Sequence, residues 1–222
     1  MNIVVRKLIA KELYVNRWLI AGAAVAAALS AGTAALGEMA FNIGALTWIT
    51  TVIAVGVMLA IYGVMNERKE QSLQFVLSLP LSVSQYVGAK LLGLLLSFLG
   101  PWLVATLGAA ILVLAHPGVP DGLLPYVLAL CVFMLMNFSL VLCGTLFVRS
   151  ESAVSVVIIL TNMLVSVYMF TIGTQAGLKD HMYGPTPVWN DTFFTVLGVE
   201  LFVLVVALAL PLATAARRRD FI

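Results

Sequence analysis

Six long stretches of apolar, almost uncharged sequence constrain this chain more than any other feature. A helix needs about 20 apolar residues to cross roughly 30 Å of hydrocarbon. Such runs lie at about residues 18–36, 44–65, 91–115, 126–148, 153–173 and 193–214. They lack the alternation of barrel strands, and in lipid only helices and closed barrels satisfy the backbone. The expected fold is an all-α membrane protein of six spans, one domain over residues 1–222. Only 10% of the residues are charged, against roughly 25% in soluble domains, which excludes a soluble fold.

Charge gives the bundle a direction, because Lys and Arg near span ends stay on the cytoplasmic side. Six spans put both termini on one face. That face collects Arg6, Lys7, Lys11 and Arg17, then Arg68, Lys69 and Lys90 after the second span, Arg149 after the fourth, and Arg217, Arg218 and Arg219 at the carboxyl end. Of the 12 basic residues only Lys179 falls on the other face, with Glu38, Asp121, Asp180 and Asp191. Both termini are therefore expected in the cytoplasm. The first run also follows basic residues and has small residues near Ala31 to Ala34, as a secretory signal does. The polar segment before it is long for that role, so a retained span is expected.

Within residues 1–17, positions 2–17 read as an amphipathic helix, with Val5, Leu8, Ile9 and Leu13 on one side and Arg6, Lys7, Lys11 and Glu12 elsewhere. Such a helix lies at the lipid boundary with its cations toward anionic headgroups. The alternative is an ordinary basic flank of the first span. That span is crowded with small residues, among them Ala23, Ala27, Ser30, Ala31 and Gly32. Small faces let helices approach closely, which implies a packing partner in this chain or another. Cys131 and Cys143 fall in one span, about 18 Å apart on a straight helix, too far to bond to each other.

Residues 66–90, between the second and third spans, form the longest connection on the basic face. Glu67, Glu70 or Gln71, Gln74 and Ser78 make a polar stripe at helical spacing, and Leu73, Val76 and Leu77 an apolar one. Pro80 stops that helix, and Ser82 or Ser84 can cap the next, which runs through Lys90 into the third span. The expectation is a short helix along the inner membrane surface with a charged ridge toward the cytoplasm. Such a ridge can dock a soluble partner, or simply anchor the loop.

The run from Glu67-Arg68-Lys69-Glu70 through Gln71-Ser72-Leu73-Gln74 to Ser78-Leu79-Pro80, with Gly88 and Lys90 opening the third span, resembles the corresponding loop of ABC-2 type transporter permeases. The amino end, with Arg6-Lys7 and Lys11-Glu12-Leu13, and the closing Arg217-Arg218-Arg219-Asp220-Phe221 are similar to family ends. One departure is Gln71, where the family usually has Gly. The resemblance implies that residues 67–78 are a coupling helix seated in an ATP-binding subunit, with Glu67, Arg68, Glu70, Gln71, Ser72, Leu73 and Gln74 as contacts. It also implies two ATPase copies, a second permease that is identical or homologous, and export by alternating access across a bacterial inner membrane.

No G-x-x-x-x-G-K-[ST] loop occurs in the chain. The chain is therefore expected to hold no cofactor and to be no enzyme, with ATP and magnesium bound by the partner. Membrane lipid is an expected partner and nucleic acid is not.

Glu200 falls about two turns into the sixth span, where an ionised carboxylate costs about 2.5–3.5 kcal/mol on insertion scales. It is either a contact on a substrate or proton path or a hydrogen-bonded residue near the outer interface. Asn137 and Asn162 are further mid-span candidates for the path, although such residues more often join helices. Trp48, Trp102, Trp189 and Tyr126 are expected as interfacial anchors at outer span ends, with Trp18 at the inner one. His116 and His181 lack metal-ligand spacing and are expected as solvated loop residues. The family resemblance further implies a re-entrant turn within residues 174–192. Two other functions stay open: an ion-coupled secondary carrier, which needs charge and broken helices at mid-membrane, and an integral membrane enzyme, which needs a polar cluster at the interface.

Overall fold

The computed structural model describes residues 3–69, 82–148 and 150–215, without the side chains of Glu38, Arg68 and Lys69. Every element among the described residues is helical. Helix α1 is Ile3–Val15 and α2 is Arg17–Ala34, separated at Asn16. Helix α3, Glu38–Ala60, continues through a π turn, Ile61–Met65, into one last α turn, Asn66–Lys69. Helix α4 is Val83–Ala115, α5 Leu124–Phe147, α6 Glu151–Thr174 and α7 Asp191–Ala215. The six helices from α2 to α7 are each long and apolar enough to cross a membrane.

Helix starts follow their capping chemistry. Ser82 and Gln85 close a capping box at α4, where Ser82 Oγ accepts from the Gln85 N–H and the Ser82 N–H donates to Gln85 Oε1. Ser150 Oγ accepts from the Ala153 N–H at α6, and Asn190 Oδ1 from the Phe193 N–H before α7. The cap at Ser82 starts α4 earlier than the apolar run does, so Lys90 stands two turns inside the helix that the cap predicts.

Helix α5 is the centre of the bundle, with α3, α4, α6 and α7 packed round it. Phe98 of α4 stacks on Phe138 of α5, ring centroids 4.1 Å apart. Helix α2 packs on α3 and α4 of its own chain, turning Ala23, Ala27, Ser30 and Ala34 inward. Gly44 makes that approach possible, because a Cβ there would stand 2.5 Å from Ala34 Cβ.

Two of the expected anchors prove to be ties between helices. Trp48 is buried and its indole N–H donates to the Ala105 carbonyl at 2.9 Å, while Trp102 donates to the Cys131 carbonyl at 2.8 Å. For Trp48 the reason is length, because α3 starts at Glu38, ahead of its apolar run; Trp102 already stands mid-way along the apolar run of α4 and turns toward α5. Trp18 and Trp189 are exposed. Between α6 and α7 the chain makes a compact turn, Ala176–Lys179, whose Leu178 is buried against Ala129, Ile172 and Phe193. The neighbouring connection is tied to it by Gly122, whose N–H donates to the Gly184 carbonyl at 3.0 Å. A Cβ on Gly122 would collide with the His181 carbonyl.

Candidate functional site

Two polar assemblies stand out in an otherwise apolar molecule. The first joins three helices where α3 ends. Lys90 Nζ lies 2.9 Å from Glu12 Oε1 and 2.7 Å from Glu67 Oε2, and Lys11 Nζ lies 2.7 Å from Glu67 Oε1. The Tyr86 hydroxyl donates to Glu67 Oε2 at 3.0 Å. Two carboxylates thus face two ammonium groups. Lys90 is 3% exposed at its side chain, Glu12 8% and Glu67 13%.

Local structure explains how these groups meet. The inward side of α1 carries Val5, Leu8, Ile9 and Leu13, and Glu12 shares that side and is its most buried member. Gly93, one turn after Lys90, admits α1, since a Cβ there would stand 2.8 Å from Glu12 Cβ and Cγ. On α3 the π turn rotates the last helical turn, the one that carries Glu67, by about 100° for each inserted residue. Gly63 within the π turn lets Leu94 of α4 come close.

Electrostatics depend on this packing. Burial alone would raise the Glu67 carboxyl; the Lys90 ammonium, with Lys11, outweighs burial and holds it below the usual carboxylate value. Buried ion pairs recover their desolvation cost only with good geometry and further hydrogen bonds. The node has both, with contacts of 2.7–2.9 Å and the added Tyr86 hydrogen bond.

Of the loop residues singled out in the sequence, Glu67 is thus engaged inside the protein rather than presented on a free ridge. Glu70, Gln71, Ser72, Leu73 and Gln74 lie outside the described residues, as does the Arg68 side chain. The pairing of Glu12 with Lys90 is what sequence reasoning misses. Its signal is the Ser82 cap, which makes Lys90 a helix-interior cation that must find an anion.

The second assembly is in the spans. Asn137 of α5 and Asn162 of α6 line one small cavity with Gly56, Phe98, Met134 and Phe138, about 10 Å³ in volume, room for about one water. Asn162 Nδ2 donates to the Ile158 carbonyl at 2.7 Å, whereas Asn137 Oδ1 is buried without a partner among the described residues. Glu200 does not line this cavity. It is buried on α7, where Oε1 accepts from the Tyr168 hydroxyl of α6 and Oε2 has no partner among the described residues. The Tyr168 ring stacks on Phe133 of α5, centroids 3.7 Å apart. Glu200 is therefore a cross-tie between two helices that both lean on α5.

Comparison with known proteins bears on the whole chain. A family model described as an ABC-2 family transporter protein matches residues 7–213. No curated protein and no solved structure matches the chain. Six membrane-length helices and a family match over nearly all of the sequence show together that the chain belongs to the ABC-2 family of transporter membrane proteins.

Proposed function

We propose that this chain is the permease subunit of an ATP-driven exporter, moved by a separate ATPase that grips the segment from Glu67 to Ser78 on the cytoplasmic side. The observation that carries this reading is the charge node. The segment begins at Glu67, and Glu67 is bonded to α1 through Lys11 and to α4 through Lys90. A push on the segment is therefore delivered to three helices as a unit. The basic residues at that end favour a cytoplasmic position for it. Family membership supports a partner that supplies ATP and magnesium, a second permease copy, identical or homologous, and residence in a bacterial inner membrane.

Asn137 and Asn162 are the polar positions on which a translocating cargo would first act, since they border the same small cavity beside α5. Glu200 serves in this reading as a positioning group for α6 and α7.

Purification of the tagged chain in mild detergent tests the proposal. A soluble ATPase should accompany it, and charge reversal at Glu70 should release that ATPase while the permease still inserts. A stable, inserted permease that never carries a nucleotide-binding partner would overturn the reading.

A further inference from the structure

A second, larger cavity, about 230 Å³, lies in the half of the bundle away from the charge node. Its wall takes Ala34 from α2, Trp48 from α3, Leu112 from α4, Leu130 from α5 and Met169 from α6. The wall is almost wholly apolar, and its hydrogen-bonding groups are largely spent. Ser30 Oγ donates to the Ala27 carbonyl at 2.7 Å and the Trp48 N–H to the Ala105 carbonyl at 2.9 Å. The remaining hydroxyl is that of Tyr126, on the first turn of α5, where the span begins.

The surroundings wall part of this space and leave part of it open. At its far end Phe41 packs on Val113, Val119 and Leu124. Toward mid-span Ile49 and Met169 pack on Phe133, Met136 and Val165. Helices α2 and α3 are shut together at Gly44. Helices α3 and α6 both lean on α5 but do not pack closely on each other, which leaves the side between Ala45 and Met169.

An engineered apolar cavity of about 150 Å³ stays dry and takes up benzene, so a larger one with a single remaining hydroxyl is a poor place for water. In a bilayer the apolar filler at hand is the hydrocarbon of lipid. We propose that this cavity binds one acyl chain of a phospholipid from the leaflet opposite the charge node, entering between α3 and α6. The occupant is a linear aliphatic chain, and its polar head stays at the membrane boundary near the start of α5.

Trp48 is a built-in reporter, because it lines the cavity and is only 8% exposed, so bulk lipid cannot reach its ring face. The full chain, with Trp18, Trp102 and Trp189 replaced by Phe, is reconstituted in nanodiscs of phospholipid brominated at mid-chain. Trp48 emission should be strongly quenched. Filling the cavity with Ala45→Phe from α3, or with Ala109→Leu from α4, should abolish most of that quenching. Leu46→Phe, on the exposed side of α3, should leave it unchanged. If the triple replacement does not elute like the native chain, the quenching lost between the native chain and Trp48→Phe provides the same readout. Quenching that is absent, or that survives both filling substitutions, overturns the proposal. Quenching by a free brominated alkane but not by brominated phospholipid overturns the lipid assignment.

Discussion

At one end α4 is tied to its neighbours by paired charges; toward the other it meets α2 through alanine and glycine and borders an apolar cavity. Near the node, Lys90 has two carboxylates within 3 Å. At the far end a Cβ on Gly108 would come 3.2 Å from Ala31 Cβ, so the contact there is one of small side chains. The difference teaches how one helix can be held by two kinds of contact. Charge pairs lose much when groups move apart in a low dielectric, whereas small-residue contacts in lipid are held by short-range packing alone. The first end is held by charge and the second by close packing.

The sharpest way to break that contrast is Lys90→Met. It leaves Glu12 and Glu67 buried without their shared cation, and removal of one partner from a buried pair costs about 3–5 kcal/mol. Thermal unfolding in detergent should show that loss, and adding Glu12→Gln should recover part of it. Filling the other end instead, with Gly108→Val, overpacks a tight contact and should cost about 1–3 kcal/mol, read by the same melt.

A cross-tie of the α6–α7 side provides an intermediate case. Tyr168→Phe removes the single hydrogen bond on Glu200, and interhelical hydrogen bonds in membranes contribute about 0.6 kcal/mol on average and up to about 1.7. The value should lie near the upper figure, because the Glu200 carboxylate then has no partner among the described residues. Trp102→Phe should cost nearer the average, since the Cys131 carbonyl it leaves is already inside a helix.

Acid sharpens the comparison from the other direction. The Glu67 carboxyl titrates below its usual value of 4.5, so its contribution is fully present above that value and fades as pH falls through the lowered one. Melting temperature should hold down to mildly acidic pH and then fall. Glu67→Gln should start lower and lose that part of the acid dependence.

Much of this is legible in the residues themselves. Six apolar runs correspond to six membrane-length helices among the described residues, and the Ser82 cap is visible in the pattern of side chains. The losses have a common cause. Hydropathy puts Trp48 at the membrane boundary because it marks where the apolar run begins, while α3 starts ahead of it; Trp102 stands mid-run, and only packing shows that its indole ties α4 to α5. Polarity alone argues for Glu12 off the apolar side of α1, although its spacing from Val5, Leu8 and Ile9 is that of the same side, because a carboxylate in isolation belongs in water; Lys90, 78 residues away, makes its burial tolerable. Asn137 and Asn162, paired as mid-span polar residues, do share a cavity, yet Glu200, of the same kind in sequence, faces Tyr168 instead.

Local chemistry thus determined by itself that the chain is a helical membrane bundle, how many times it can cross, and, at Ser82, where one of its helices starts. Those properties depend on segment length, backbone satisfaction and caps, all of which act within a few turns. Which charges pair, which indoles tie helices and where cavities remain was decided by the tertiary structure alone. Each of these depends on the distance between side chains far apart in sequence, and that distance exists only once α1, α3 and α4 are packed.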